Sequence, residues 1–369
     1  MSLTLYRKYR PKLFAEVEGQ EHIVRTLEGA LLSGRVGHAY LFCGPRGTGK
    51  TTVARLFAKS LNCTNRDAGK FEPCNNCDSC LAINEGRSLD LIEIDAASNR
   101  GIDEIRNLKD SARVAAASSN YKVFIVDEVH MLTPPAFNAL LKTLEEPPSH
   151  VIFIMATTEP HKILETILSR VQRFDFKKIS PELIIRKLKK IAKAEKIILE
   201  PEVLTELAGF ASGSLRDAES ALAKLMAFAL PARPAEDGGG LTITSSQTLE
   251  ILGIVPTHIH AGFFEAIIGK NTAKALSYIA ELHESGVDLD NFIKQFLNFT
   301  RAKLITLAGT GPYTQGMSMG ASQQTSTGTK PDAETLIRII NAFIAARTEL
   351  KNSPVPQLPL ELAVMELTR

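Results

Sequence analysis

A chain of 369 residues exceeds one small fold and divides, at roughly 150 residues per unit, into two or three domains. Its composition, 44% hydrophobic and 23% charged, excludes global disorder, and 43 Lys and Arg against 41 Asp and Glu leave a charge of +2, so any nucleic-acid surface has to be local. No apolar run approaches the roughly 18 residues of a membrane span, and Met1 to Pro11 is basic and polar, so we expect a cytoplasmic protein with no signal peptide and no membrane partner.

From residue 1 to about 178 the pattern alternates apolar strand, Gly or Asp turn, and helix. The strand segments are Ala39 to Cys43, Leu89 to Asp95, Val123 to Val126, Val151 to Ala156 and Arg173 to Phe176. This alternation predicts an α/β domain with a parallel five-stranded sheet covered by helices. Ser180-Pro181 is a good helix start, and helical period follows in Ile184 to Ile191, Val203 to Phe210 and Leu215 to Leu230, with no strand expected between them. Pro231, Pro234 and Gly238-Gly239-Gly240 predict a linker closing a small helical domain, residues 179–240. Helical period resumes in Phe263 to Ile268, Ala273 to Leu282, Phe292 to Leu307 and Leu336 to Leu350, which predicts an all-helical third domain, 241–369. Within it, the weakly charged Gly, Ser, Thr and Gln-rich stretch Gly309 to Lys330 is expected to be a disordered loop.

The motif Gly44-Pro45-Arg46-Gly47-Thr48-Gly49-Lys50-Thr51 fits GxxxxGK[ST] between a strand and a helix, the phosphate-binding Walker A loop. Glycines let backbone N–H groups wrap around phosphate oxygens, and the next helix adds its positive N-terminus. We expect Gly44 to Thr51, with Thr52, to hold ATP, Lys50 to reach the β- and γ-phosphates, and Thr51 to place its hydroxyl on Mg²⁺. Downstream, the apolar run Val123 to Val126 ends in Asp127-Glu128, delivering two carboxylates to the edge of the sheet where ligands bind in open α/β folds. Asp127 would hold Mg²⁺, and Glu128 would orient or deprotonate the water that attacks the γ-phosphate.

Four of the five cysteines cluster as Cys63, Cys74, Cys77 and Cys80, spaced C-x10-C-x2-C-x2-C among loop-forming residues too polar to pack unaided. Four thiolates at this spacing can close a tetrahedral structural Zn²⁺ site. An iron–sulfur cluster is the rival, although the fourth cysteine is misplaced for the usual ferredoxin run. Cys43, on the first strand, reads as a small buried hydrophobe.

Asp127-Glu128-Val129-His130-Met131-Leu132, followed by Asn138-Ala139-Leu140-Leu141-Lys142-Thr143-Leu144-Glu145-Glu146-Pro147-Pro148, resembles the AAA+ ATPases of DNA clamp loaders. Tyr6 to Pro11, Val17 to His22, Ile94 to Ser98, Ala156 to Pro160, Leu168 to Arg170 and Gly213 to Ala218 extend the resemblance, which within that group is closest to the gamma/tau subunits of bacterial DNA polymerase III. It covers residues 1 to about 230 densely and the third domain only in helical character. The resemblance implies an AAA+ domain over 1–178 with a zinc module at 63–80, a helical lid over 179–240 and an oligomerisation collar over 241–369. It also implies that Thr157-Thr158 corresponds to the sensor-1 position, with Thr158 preferred, that Arg216 is the sensor-2 arginine, and that Arg170 is an arginine finger acting in a neighbouring subunit. Clamp loaders usually carry Ser-Arg-Cys where this chain reads Ser169-Arg170-Val171. For either arginine the structural alternative is a surface ion pair.

The implied activity is that of an ATP-hydrolysing motor subunit which opens a sliding clamp and loads it on primed DNA during replication. Its partners would be the other subunits of a homo- or hetero-oligomer, taken as pentameric, together with the clamp and primed DNA. Ser98-Asn99-Arg100-Gly101-Ile102-Asp103 opens a helix and is the candidate for sequence-independent contact to the DNA backbone, an ordinary N-cap turn being the alternative. Two other readings are a non-hydrolysing structural clamp-loader subunit and another AAA+ DNA remodeller such as a Holliday-junction motor. The intact Lys50, Thr51, Asp127 and Glu128 argue against the first, and the cysteine insertion and the Leu140 to Pro148 segment against the second.

Overall fold

The five apolar segments form one parallel sheet: β1 (Ala39–Cys43), β2 (Leu91–Asp95), β3 (Lys122–Asp127), β4 (Val151–Thr157) and β5 (Gln172–Asp175), in the order β2-β3-β4-β1-β5. A computed structural model supplies this description, and it describes residues 4–67, 69–229, 241–308, 331–350 and 352–369. The central strands are buried almost throughout because both faces are covered, whereas β2 and β5 include exposed positions as edges do. Helices of this region are α1 (Leu5–Lys8), α2 (Glu21–Ser33), α3 (Lys50–Leu61), α4 (Asp78–Glu85), α5 (Ile102–Arg113), α6 (Pro134–Glu145), α7 (Glu165–Leu168) and α8 (Pro181–Glu195). Alternate side chains send Leu41, Phe124 and Phe153 into a core with Ile105, Leu108, Phe137 and Leu140 of α5 and α6. On the other face Tyr40, Phe42, Ile125 and Ile154 pack with Ile23 and Leu27 of α2 and Val53 and Phe57 of α3. Cys43 is fully buried, as its apolar strand position predicts.

The register decides where chemistry can occur. Cys43 lies level with Thr157 of β4 and Asp175 of β5, and Asp95 with Asp127. The residues that follow β1, β3 and β4 therefore emerge side by side at one carboxyl edge, where the strand order reverses direction.

After α8 come β6 (Ile197–Leu199), α9 (Pro201–Ala211), α10 (Leu215–Ala229), β7 (Leu241–Ile243), α11 (Ser245–Leu252), α12 (Thr257–Ile268), α13 (Thr272–Glu284), α14 (Leu289–Leu307), α15 (Ala333–Leu350) and α16 (Leu358–Thr368). β6 and β7 pair in parallel, Ile197 opposite Leu241, which corrects the expectation of no strand after residue 180 and of a wholly helical third domain. The signal was too short to show a period: two β-branched residues follow Lys196, itself in a left-handed turn at φ +58°. The expected linker at Pro231 to Gly240 and the expected loop at Gly309 to Lys330 lie outside the described residues.

The chain divides into two compact units, Met1–Glu195 with Leu207–Ala223, and Lys196–Glu206 with Lys224–Arg369. The second has its own core, in which Phe263 meets Phe292, Phe296 and Phe343 edge to face at centroid distances of 5.4, 4.9 and 5.8 Å. Among the described residues no single helix is long and apolar enough to cross a membrane.

In the first unit α10 carries a buried carboxylate, Glu219, faced by Lys187 and Arg10. Burial pushes its carboxyl from 4.5 up to about 7, against the pull of the two cations. The folded state therefore keeps the proton longer than the unfolded chain, and stability falls as pH rises from 4.5 to about 7. We expect Glu219→Gln to match wild type in thermal unfolding below pH 4.5 and to gain on the order of 1–3 kcal/mol over it at pH 8. A constant difference across that range would contradict the assignment.

Candidate functional site

The phosphate loop leaves β1 through Gly44, at φ +142°, where an added Cβ would come within 2.5 Å of the Phe176 carbonyl oxygen. Only glycine fits there. Gly47, at φ +75°, is equally constrained, since a Cβ would fall 1.9 Å from Ser214 Oγ, and its carbonyl accepts the Leu215 N–H at 3.1 Å. Thr48 closes the loop by donating its hydroxyl to the Pro45 carbonyl at 2.9 Å, and Pro45 and Arg46 stand exposed at its rim. Gly49, at φ +103°, then turns the chain into α3, whose first residues are Lys50, Thr51 and Thr52.

Lys50 is buried, and its ammonium donates to the carbonyls of Gly44 at 2.7 Å and Pro45 at 2.9 Å. Burial lowers its pKa, while Glu128 and Asp127 oppose that shift. A buried ammonium satisfied only by carbonyls lacks an anion, and a phosphate oxygen supplies one. Thr51 Oγ1 donates to Asp127 Oδ2 at 2.8 Å, joining the loop to the end of β3 at the two groups expected to hold Mg²⁺. Hydroxyl and carboxylate oxygens are the donor set that ion takes, so the residues fit it.

Glu128 leaves β3 in the left-handed region at φ +49°, which costs a non-glycine residue about 1 kcal/mol and marks a constrained position. Its Oε2 accepts from the Thr158 N–H at 3.1 Å and the Thr158 hydroxyl at 2.8 Å. Among the described residues Oε1 accepts no hydrogen bond, which leaves it free for a water. The Thr157 hydroxyl is occupied elsewhere, 3.0 Å from His130 Nδ1 and accepting the Glu159 N–H at 3.0 Å. Of the two threonines, only Thr158 contacts Glu128.

Two residues to which sequence reasoning gave no role join the site. His130, nearly buried, stands 3.4 Å from Glu128 Oε2 with its other nitrogen 3.5 Å from Glu159. Gln20, fully buried, donates to the carbonyls of Thr48 at 3.4 Å and Lys177 at 2.8 Å and accepts from the Lys177 N–H, stitching the phosphate loop to the segment after β5. Both stand inside the motifs quoted above, but a single polar residue there carries no sign of its tertiary partners.

Arg216 follows the Leu215–Gly47 hydrogen bond directly, its Cβ 3.2 Å from where a Gly47 Cβ would stand, and its guanidinium lies 5.0 Å over the Tyr6 ring. Arg170 sits apart from this cluster. It pairs with Glu145 at 2.9 Å and donates to the Thr166 carbonyl and Ser169 Oγ. The Ser98 to Asp103 segment is an Asp95-centred turn: Asp95 accepts from the Ala97 N–H and the Ser98 hydroxyl, Asn99 donates to the Asp95 carbonyl, and Arg100 to that of Ala97. Gly101, the N-cap of α5, offers no side chain to its first N–H groups.

The sulfurs of Cys63, Cys74, Cys77 and Cys80 all lie within 4.8 Å of one another, with Cys74 and Cys80 3.9 Å apart. Tetrahedral thiolates at about 2.3 Å from a zinc ion stand about 3.8 Å apart, so the cluster has the size that fits. Burial raises the thiols of Cys63 and Cys80; at Cys77 burial is outweighed by hydrogen bonds from Thr64 and the Cys80 backbone, and the thiol falls to about 5. Burial thus opposes bare thiolates at Cys63 and Cys80, and a bound cation would offset that cost.

Residues 19–180 match the family described as DNA polymerase III, delta subunit, and residues 243–369 that described as DNA polymerase III subunits gamma and tau domain III. DNA polymerase III subunit tau of Bacillus subtilis is 42% identical over 365 residues, 98% of this chain and 62% of that protein, and subunit tau of Escherichia coli 37% over 98% and 54%. The chain thus spans about 62% of the length of the Bacillus relative. Subunit gamma of Buchnera aphidicola is 34% identical over 98% of both chains. Among solved structures, the RuvB Holliday junction branch migration motor of Thermotoga maritima aligns with 70% of this chain and 79% of its own at 19% identity and a TM-score of 0.48. Agreement with the gamma subunit over 98% of both chains, joined to a parallel sheet with a complete phosphate loop, places this chain in the gamma/tau family of DNA polymerase III subunits.

Proposed function

We propose that this chain is an ATP-hydrolysing motor subunit of a DNA clamp loader, coupling ATP binding and hydrolysis to the opening of a sliding clamp and its placement on primed DNA. The observation that carries this reading is the convergence of Lys50, Thr51, Asp127, Glu128 and Thr158 at one sheet edge, a full hydrolytic set that a purely structural subunit would not need. Lys50 would move from the loop carbonyls to the β- and γ-phosphates. Thr51 and Asp127 would hold Mg²⁺, which neutralises charge on those oxygens. Glu128 would take a proton from the attacking water through its free Oε1, while Thr158 holds Oε2 and fixes the carboxylate's direction. Arg216, beside Gly47, would sense the γ-phosphate and draw the lid, residues 179–240, onto the AAA+ domain, 1–178.

Arg170 would act across a subunit interface. Its ion pair with Glu145 is half-exposed and of a kind worth about 0–1 kcal/mol, so release to a neighbour's nucleotide costs little. The collar, 241–369, would supply the oligomer contacts: Ile337 and Ile344 on α15, and Leu358, Leu362 and Met365 on α16, are exposed at helical spacing. The N–H groups opening α5 would meet DNA phosphate without reading sequence, the side chains of Ser98, Asn99 and Arg100 being engaged in their turn. We assign the cysteine cluster to structural Zn²⁺, and the protein to the cytoplasm.

Lys50→Ala should weaken ATP binding, whereas Glu128→Gln should bind ATP and lose turnover, read by nucleotide titration and phosphate release; wild-type turnover by Glu128→Gln would remove it as the base. Metal analysis should return one zinc per chain, lost in Cys77→Ser with the phosphate loop intact, and an iron–sulfur absorbance band would overturn the zinc assignment. An isolated chain should hydrolyse ATP slowly, since a finger contributes on the order of 10³-fold or more. An excess of Arg170→Ala mixed with Lys50→Ala should recover part of the turnover, because only a mixed interface holds both groups. Full activity of Arg170→Ala in the assembled complex would reduce Arg170 to a surface ion pair.

A further inference from the structure

The cysteine module touches more than its own sulfurs. Lys59 of α3, buried beside it, divides its three protons among the Lys12 carbonyl at 2.8 Å, Asn75 Oδ1 at 2.6 Å and Asn84 Oδ1 at 3.0 Å. Asn75, between Cys74 and Cys77, is held left-handed at φ +59° and donates its amide to the same Lys12 carbonyl at 3.2 Å. Glu72 accepts the Phe14 and Ala15 N–H groups, one on each oxygen, both at 2.8 Å, and the Phe71 and Phe14 rings meet at 5.6 Å. Residues of the module thus grip Lys12 to Ala15 through backbone groups that no secondary structure satisfies.

The same N-terminal strap is tied at its other end to helices α8 and α10. Lys8 and Tyr9 both donate to Glu195, at 2.6 and 2.5 Å, Lys187 donates to the Tyr9 carbonyl at 3.2 Å, and the Tyr6 ring lies under Arg216. Arg216 in turn adjoins the Leu215–Gly47 contact with the phosphate loop. One unbroken series of contacts therefore runs from the cysteines through the strap to the loop.

We propose that the four-cysteine module is a bracket for the N-terminal strap, so that metal binding at Cys63, Cys74, Cys77 and Cys80 sets the affinity of the phosphate loop for nucleotide. The physical basis is preorganisation. Glu72 and Asn75 lie in a polar excursion whose order depends on the metal, and without it the strap loses the anchors at Lys12, Phe14 and Ala15. Glu72, Asn75 and Lys59 are positioning residues, and the cost falls on binding rather than on the chemical step. The nucleotide part of this inference rests on the proposed ATP site, and the mechanical part only on the zinc assignment.

The test uses the full chain in three forms: zinc-loaded, stripped of metal, and Glu72→Ala, which keeps all four cysteines. Hydrogen–deuterium exchange is followed in residues 4–16 and in α3, metal content is measured, and a fluorescent ATP analogue is titrated. We expect faster strap exchange in both altered forms, with the centre of α3 still protected, unchanged zinc in Glu72→Ala, and a Kd for the analogue raised roughly three- to tenfold. Unchanged strap exchange and Kd after metal removal, while residues 63–80 open, would overturn the bracket. Should zinc-loaded wild type fail to bind the analogue at all, the ATP site itself falls, and the exchange data alone decide, with retained strap protection counting against the bracket.

Discussion

A buried lysine without an anion organises this molecule. Lys50 is held at the carboxyl edge of the sheet with its ammonium on two loop carbonyls, an arrangement that a phosphate would improve. Its position follows from the strand order. Because β1 lies between β4 and β5, the loop after it opens beside Thr157 and Thr158 and one strand away from Asp127 and Glu128. With the strands in another order the loop and the acids would not emerge at the same place.

The proposed coupling between nucleotide and lid would have a similarly local origin. Gly47 admits Ser214 and Leu215 against the loop because it has no side chain, which brings Arg216 beside the loop. Tyr6 holds that guanidinium from the other side. Were Arg216 to exchange that aromatic face for a γ-phosphate, as proposed, it would have two discrete states, the condition for a ligand to shift a conformational equilibrium.

What could be read in the sequence was whatever is local in the chain. GxxxxGKT, the apolar run into Asp127-Glu128, and the cysteine spacing each encode their geometry within a few residues, and all three formed as expected. The choice between Thr157 and Thr158 could not be made from spacing, since it depends on which hydroxyl meets Glu128 and which meets His130. Gln20, His130 and Lys59 went unassigned for the same reason, their partners lying 27 or more residues away or in elements whose approach only packing defines. The strands at Ile197 and Leu241 escaped because three residues make no period, and their pairing joins segments more than forty positions apart.

On the function proposed, nucleotide at Lys50 governs engagement of a sliding clamp. The direct measurement is co-elution of the assembled complex with a ring-shaped clamp on size exclusion, with and without ATP, for wild type and for Lys50→Ala. A stable complex is expected only with ATP and only when Lys50 is present. Equal co-elution of clamp in all four samples, or none in any, would contradict it.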